Sequence, residues 1–290
     1  MTGFLKRILK YSSLVKISHS IFSLPFAVIG YFLAVEQAKT DFEAFKIGLI
    51  ILCVVFARNA AMSFNRITDR YYDAQNPRTQ QRVIPSGKIS IKNAYIFLVV
   101  NIILFIATTW FINMTCFLLA PVALIIILGY SYTKRFTYFS HFILGMGLSL
   151  APAGAFLAVY PHFNIVILFL SLAVLFWVGG FDIIYALPDE LFDKKNKLHS
   201  IPEHFGIKKA LFISASAHLL TLFFLITAGI LNQNGLFFWI GLVLFAVLII
   251  YQHLIINPKD FSRINLAFFT LNGISGIIFS IFYILDLYCK

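Results

Sequence analysis

Asn65-Arg66-Ile67-Thr68-Asp69-Arg70-Tyr71-Tyr72-Asp73 closes a long apolar run, residues 46–64, and decides how the rest of the chain is read. On a helix, steps of four place Asn65, Asp69 and Asp73 along one slowly drifting stripe, about 6 Å of axial rise apart. A second acidic run lies far downstream: Asp182-Ile183-Ile184-Tyr185-Ala186-Leu187-Pro188-Asp189-Glu190-Leu191-Phe192-Asp193. It also closes an apolar stretch, and Asp189 and Asp193 repeat the four-residue step. The intervening chain reads as the scaffold that brings these two ends together.

That scaffold is apolar. Of 290 residues, 60% are hydrophobic and only 12% are charged, about half the charge of an ordinary soluble domain, and the mean hydropathy is +0.87. A hydrocarbon core needs about 20 apolar residues per helix. The expected fold is therefore all-α, a polytopic membrane protein forming one domain over 1–290. Nine spans are expected near 19–36, 46–64, 93–112, 114–131, 139–160, 163–182, 209–231, 235–255 and 264–286. The net charge of +11 does not signal nucleic acid, because the basic residues fall between spans, where they fix orientation and meet lipid head groups. Cys53, Cys116 and Cys289 have no metal-ligand spacing and receive no role.

With the N-terminus inside, 19 basic residues fall on one face, from Lys6, Arg7, Lys10 and Lys16 to Lys259 and Arg263. Only Lys39, Lys46 and Lys290 fall on the other, and Arg58 lies within a span. The positive-inside rule then puts the N-terminus in the cytoplasm, unprocessed, and the C-terminus outside, as in a bacterial inner membrane. Both acidic runs end inward-going spans, the second and the sixth, and meet on one face, in the manner of a parallel internal duplication. The long polar loops that follow, 74–92 and 186–208, are expected to fold partly as short helices over the mouth.

Taken alone, Asp69 and Asp73 would be explained as helix-end partners of Arg66 and Arg70. Two clusters of matched spacing, depth and sidedness argue instead for shared chemistry. Mg²⁺ prefers oxygen ligands and is usually held by one or two carboxylates plus substrate phosphates, so two facing acidic pairs suit ions bridging a diphosphate. Arg66, Arg70, Arg78, Arg82, Lys134 and Arg135 add positive charge on the same face. Arg58, two turns before Asn65, falls on the same face at greater depth. It suits a substrate carboxylate, or else serves as counter-ion to Asp182 or to a helix dipole. His141, His162, His218 and His253 read as packing or interfacial residues.

These residues resemble the UbiA superfamily of intramembrane aromatic prenyltransferases. The resemblance rests on Lys16-x-x-His19-Ser20-x-Phe22-Ser23-Leu24-Pro25-Phe26, on Asn65-x-x-x-Asp69-x-x-x-Asp73 followed by Asn76-Pro77-Arg78-Thr79, on Lys134-Arg135-Phe136-Thr137, and on Asp182-x-x-Tyr185-x-x-x-Asp189-x-x-x-Asp193. It implies nine helices around a central cavity, with Mg²⁺ and a polyprenyl diphosphate held by the two motifs. Asn65, Asp69 and Asp73 carry over from the first motif, Asp189 and Asp193 from the second, with Tyr185 beside the allylic carbon or the diphosphate. Asp189 either orients the acceptor or only binds metal; Asp182 assists the second motif or pairs with a nearby base. The expected reaction is C-prenylation of a small aromatic acid, 4-hydroxybenzoate foremost, in ubiquinone-type synthesis. Lys197-Leu198-His199-Ser200-Ile201-Pro202-Glu203-His204-Phe205-Gly206 also resembles a branch acting on another aromatic carboxylate in a menaquinone route. A secondary transporter for an anionic metabolite is the alternative from a different class, disfavoured by the carboxylates in its mouth.

Overall fold

A computed structural model describes residues 10–289. Lys6, Arg7 and Lys290, which enter the charge argument, and the side chain of His19 lie outside the described residues. Within them the chain is helical without strands, apart from one isolated bridge between Asn257 and Asp260. A short 3₁₀ turn (Ile17–Phe22) leads into α1 (Leu24–Ala38), then α2 (Ala44–Thr68), the short α3 (Arg70–Gln75), α4 (Ile91–Ile112), α5 (Met114–Thr133) and α6 (Ser140–Leu157). There follow α7 (Ile165–Ala186), the short α8 (Glu190–Lys195), α9 (Ile201–Leu231), α10 (Leu236–Ile255) and α11 (Asn272–Tyr288), the last continuing a π-helical turn, Leu266–Leu271. Nine helices among the described residues are long and apolar enough to cross a membrane, close to the nine expected.

The sequence makes these helices for identifiable reasons. In hydrocarbon the backbone must satisfy itself, which favours helix over any open strand. Helix starts carry side-chain caps: Ser90 accepts from the Asn93 amide, Asn113 from Cys116, Asn164 from Val166 and Ile167, and Ser200 from Glu203. Close helix contacts use missing side chains. A Cβ on Gly30 would lie 2.2 Å from the Pro152 carbonyl oxygen, and one on Gly145 would lie 2.2 Å from that of Leu175, so α1–α6 and α6–α7 pack backbone to backbone.

Enclosure is uneven, and this positions the site. The span containing α7 is 61% buried and packs against α6 and α9, whereas the span of α2 is only 17% buried. Around α7 lies an aromatic core in which Trp177 meets the rings of Phe22, Phe26, Phe181 and Phe245. The Trp177 indole donates to Asn272 at 3.0 Å. The poorly enclosed α2 faces open space inside the bundle. Large apolar side chains such as Val99, Phe111, Ile125, Phe212 and Val247 point outward, as expected of a lipid-facing surface.

Candidate active site

Neither acidic run sits on one straight helix. α2 stops at Thr68, Asp69 takes φ −92° and ψ 6°, and α3 restarts at Arg70. α7 stops at Ala186, passes through a 3₁₀ turn (Leu187–Asp189) opened by Pro188, and restarts as α8. The continuous stripe expected from the spacing is thus broken once at each motif, yet Asn65, Asp69 and Asp73 still face the same space as Asp182, Asp189 and Asp193. That space is a cavity of about 230 Å³, lined also by Lys16, Arg58, Arg66, Arg82, Tyr130, Lys134, Arg135 and Tyr185. The loop after α3 folds as successive turns and not as the expected helix. The loop after α7 does form short helices.

Charge in the cavity is arranged in crossed pairs. Asp73 accepts from Arg82 at 2.5 Å, with Arg66 at 3.9 Å; Asp69 accepts from Arg135 at 3.2 Å and from the Asn65 amide at 2.9 Å. Asp189 is gripped from the other motif's loop, by Arg78 at 2.6 Å and by the Asn76 carboxamide at 2.9 Å. Burial would lower Lys134, but Asp193, Asp182, Asp189 and Asp69 around it outweigh that and raise it, so it stays a cation. Burial first, then the neighbouring Asp73 carboxylate, pushes Asp69 up to about 6 against the pull of Lys134, Arg135 and Arg66. Lys16 is pushed down to about 8 by burial and by Arg66, Arg82 and Arg78. The cavity holds more cation than its carboxylates use.

A metal ion would find oxygen ligands here but no closed cage. Among the described residues no three carboxylates, cysteines or histidines converge. One oxygen on each motif, Oδ2 of Asp73 and Oδ2 of Asp193, is buried without a hydrogen-bond partner. On residues that line one cavity, such unpartnered oxygens suit an ion that completes its shell with substrate phosphates and water.

Most residues singled out in the sequence converge; some do not. Arg70 turns away: the break at Asp69 redirects it, its guanidinium donates to the Ile67 carbonyl at 2.8 Å and lies 4.3 Å over Tyr71. It is not part of the cavity wall, which corrects the expectation that it binds substrate. His141 was expected to be packing. It is fully buried but pairs with Asp182, Nδ1 to Oδ2 at 2.7 Å, so Asp182 does have a basic partner, and it is not Arg58. Among the described residues no carboxylate ion-pairs with Arg58, and its Nε is buried without a partner. His199 contributes its backbone amide to the Lys134 carbonyl at 2.6 Å. The cavity walls Tyr72, Thr79, Tyr130 and Phe268 had drawn no attention as site residues. Thr79 was within reach, since it follows Arg78 in a quoted motif; Phe268 carried no local signal.

A second, apolar chamber of about 280 Å³ lies among α2, α4, α5 and α6, walled by residues such as Val54, Ala57, Phe105, Ile127, Ala151 and Gly154. Arg58, Met62, Tyr130, Leu144 and Leu148 line both spaces, so the charged cavity and the apolar chamber adjoin across these side chains.

Comparison with known proteins follows the geometry. Residues 23–274 match the sequence model of the UbiA prenyltransferase family. A protein of Vesicomyosocius okutanii subsp. Calyptogena okutanii named 4-hydroxybenzoate octaprenyltransferase is 31% identical over 248 residues, covering 85% of this chain and 90% of its own. The apo structure of a UbiA homolog from Aeropyrum pernix K1 superposes with a TM-score of 0.83 at 30% identity, covering 92% of this chain and 98% of that one. A UbiA homolog from Archaeoglobus fulgidus bound to GPP and Mg²⁺ shares the fold, with a TM-score of 0.70 at 22% identity over 96% and 99% of the two chains.

Proposed function

The chain belongs to the UbiA prenyltransferase family and is a membrane-embedded prenyltransferase, and on that premise we propose that it transfers the polyprenyl group of a polyprenyl diphosphate to the ring of 4-hydroxybenzoate, with Mg²⁺, in ubiquinone-type quinone synthesis. The relative named 4-hydroxybenzoate octaprenyltransferase supports the acceptor. The observation that carries the reading is the adjoining pair of spaces: a charged cavity at two broken acidic helices, sharing a wall with an apolar chamber.

Asp69, Asp73, Asp189 and Asp193 would hold Mg²⁺, with Asn65 orienting Asp69 through its amide. The bound ion supplies Lewis-acid neutralisation of the diphosphate leaving group. Arg66, Arg82, Lys134 and Arg135 supply fixed positive charge to the same phosphates. The isoprenoid chain lies in the apolar chamber, which stabilises it by burial. The allylic C–O bond breaks toward the cationic rim, and the ring carbon ortho to the phenol forms the new C–C bond. Tyr185 faces the allylic carbon, Asp189 orients the acceptor, Asp182 accepts the ring proton, and Arg58 binds the acceptor carboxylate through its guanidinium fork. The mouth faces the cytoplasm of a bacterial inner membrane, with N-terminus inside and C-terminus outside, on the strength of the basic asymmetry.

Purified protein in nanodiscs should convert polyprenyl diphosphate and 4-hydroxybenzoate to a product of the summed mass less diphosphoric acid, with EDTA abolishing turnover and Mg²⁺ restoring it. Transfer in metal-free buffer would remove the metal from the reading. Product formed only with a different aromatic carboxylate would change the acceptor.

A further inference from the structure

The π-helical turn before α11 has a role beyond packing. A π turn inserts a residue into a helix and leaves backbone groups offset from their usual partners, and such turns tend to occur at functional sites. Here Asn272 absorbs the offset: its carboxamide nitrogen donates to the carbonyls of both Ala267 and Phe268 at 2.9 Å. Its oxygen accepts from the Trp177 indole at 3.0 Å. Asn272 is wholly enclosed, so this anchor ties the turn rigidly to α7, the helix that carries Asp182, Tyr185 and the approach to Asp189.

The anchored turn aims Phe268 at the reacting end of the cavity. Its ring stacks on Tyr185 at 4.1 Å between centroids and meets Phe22 and Phe181 edge to face, both at 5.4 Å. All four rings line the charged cavity. Tyr185 and Phe181 lie on α7 four and eight residues before Asp189, on the membrane side of the break after Ala186, so the rings sit inward of the carboxylate. A diphosphate seated at the acidic ends, with its chain running inward, has its first allylic carbon at that depth. Arg78, which holds Asp189, also has its guanidinium 5.2 Å from the Tyr185 ring centroid, so this wall already carries one cation on a π face.

Resting on the prenyl-transfer reading above, we propose that Phe268 is a catalytic residue: with Tyr185 it forms the π wall against which positive charge develops as the allylic C–O bond breaks. The bond's electron pair leaves with the diphosphate. The deficit at the allylic carbon faces the rings until the acceptor's ring carbon closes the C–C bond and releases its proton. Aromatic faces attract such a charge more than aliphatic groups of equal size. Asn272 and Trp177 are positioning residues acting through the turn.

The experiment uses the full chain in nanodiscs and a prenyl diphosphate carrying ¹⁸O in the C1–O bridge, whose scrambling into non-bridging positions reports ionisation and return. Phe268 is replaced by 4-fluoro-, 3,5-difluoro- and 3,4,5-trifluorophenylalanine, which keep the ring's shape while draining its π face, and separately by Phe268→Leu and Phe268→Tyr. Scrambling and kcat should fall together with each added fluorine, and Phe268→Leu should lose roughly 10-fold with both KM values and the unfolding temperature unchanged. Phe268→Tyr should recover most of the rate. Rates indifferent to fluorination would overturn the proposal and leave Phe268 as packing. A wild type that neither scrambles nor transfers would overturn the prenyl-transfer reading, and the wall with it.

Discussion

The two acidic helix ends repeat each other in backbone and differ in charge. Both are helices interrupted at an aspartate and restarted for six residues. At the first end, three arginines surround the carboxylates: Arg135 at Asp69, and Arg82 and Arg66 at Asp73. At the second, the only arginine pair among the described residues is Arg78 on Asp189, on loan from the first end's own loop. Asp193 has Lys134, the Ser200 hydroxyl, Asp189 and His141 around it. Duplicating a fold therefore does not duplicate a binding environment. The first end is already neutralised and has cation to offer a diphosphate, while the second depends more on a metal from outside.

Removing one carboxylate from each end tests that asymmetry most severely. Asp193→Asn should lower kcat about 10³-fold, in line with several kcal/mol of lost charge stabilisation, and should raise the Mg²⁺ concentration that gives half-maximal rate. Asp73→Asn should lower kcat comparably but also lower donor KM, because Arg66 and Arg82 are released toward the diphosphate. Equal shifts in Mg²⁺ requirement, with donor KM unmoved, would make the two ends equivalent.

Arg58 belongs to neither end and should separate acceptor from donor. Arg58→Ala should raise acceptor KM about 30-fold to several thousand-fold, the worth of about 2–5 kcal/mol for a desolvated charged pair, with donor KM nearly intact. Arg58→Lys should recover only part, lacking the fork. An unchanged acceptor KM with a lowered unfolding temperature would make it a structural cation.

Arg78 joins the ends, and cutting it sharpens the comparison. Arg78→Ala removes a charge-assisted hydrogen bond and should cost roughly 10- to 100-fold in kcat/KM for the donor. If the loss is recovered by excess Mg²⁺, Arg78 serves to hold Asp189; if not, it touches the phosphates. The smallest effect concerns Lys16. Held near 8 by burial and by Arg66, Arg82 and Arg78, it is charged below that pH and neutral above it. Donor KM should therefore rise a few-fold as pH passes upward through about 8, and Lys16→Met should flatten that rise.

Much of this was legible in the chain because membranes impose strict lengths. The nine spans follow from apolar runs, and the shared face of the two motifs from the basic loops. What was not legible depended on breaks and on distant partners. Four-residue spacing presumes an unbroken helix, so the reading could not foresee the turn at Asp69 that sends Arg70 outward. His141 sits in an apolar segment with no charged neighbour in sequence; its partner, Asp182, is 41 positions away. The π turn at Phe268 is held by Asn272, whose partner Trp177 lies 95 positions away, a contact no local pattern encodes.

The bonds from Asn76 and Arg78 to Asp189 span 113 and 111 residues, and this bears on biosynthesis. Chains emerge N-terminus first and their early parts fold while later ones are still being made. The loop carrying Asn76, Arg78 and Arg82 is therefore complete several helices before its carboxylate exists. Until α7 enters the bilayer, that loop lacks Asp189 and stays accessible. A nascent chain arrested after α6 should be cut by protease between residues 76 and 90, and one arrested after α9 should resist, so the mouth is among the last parts of the molecule to close.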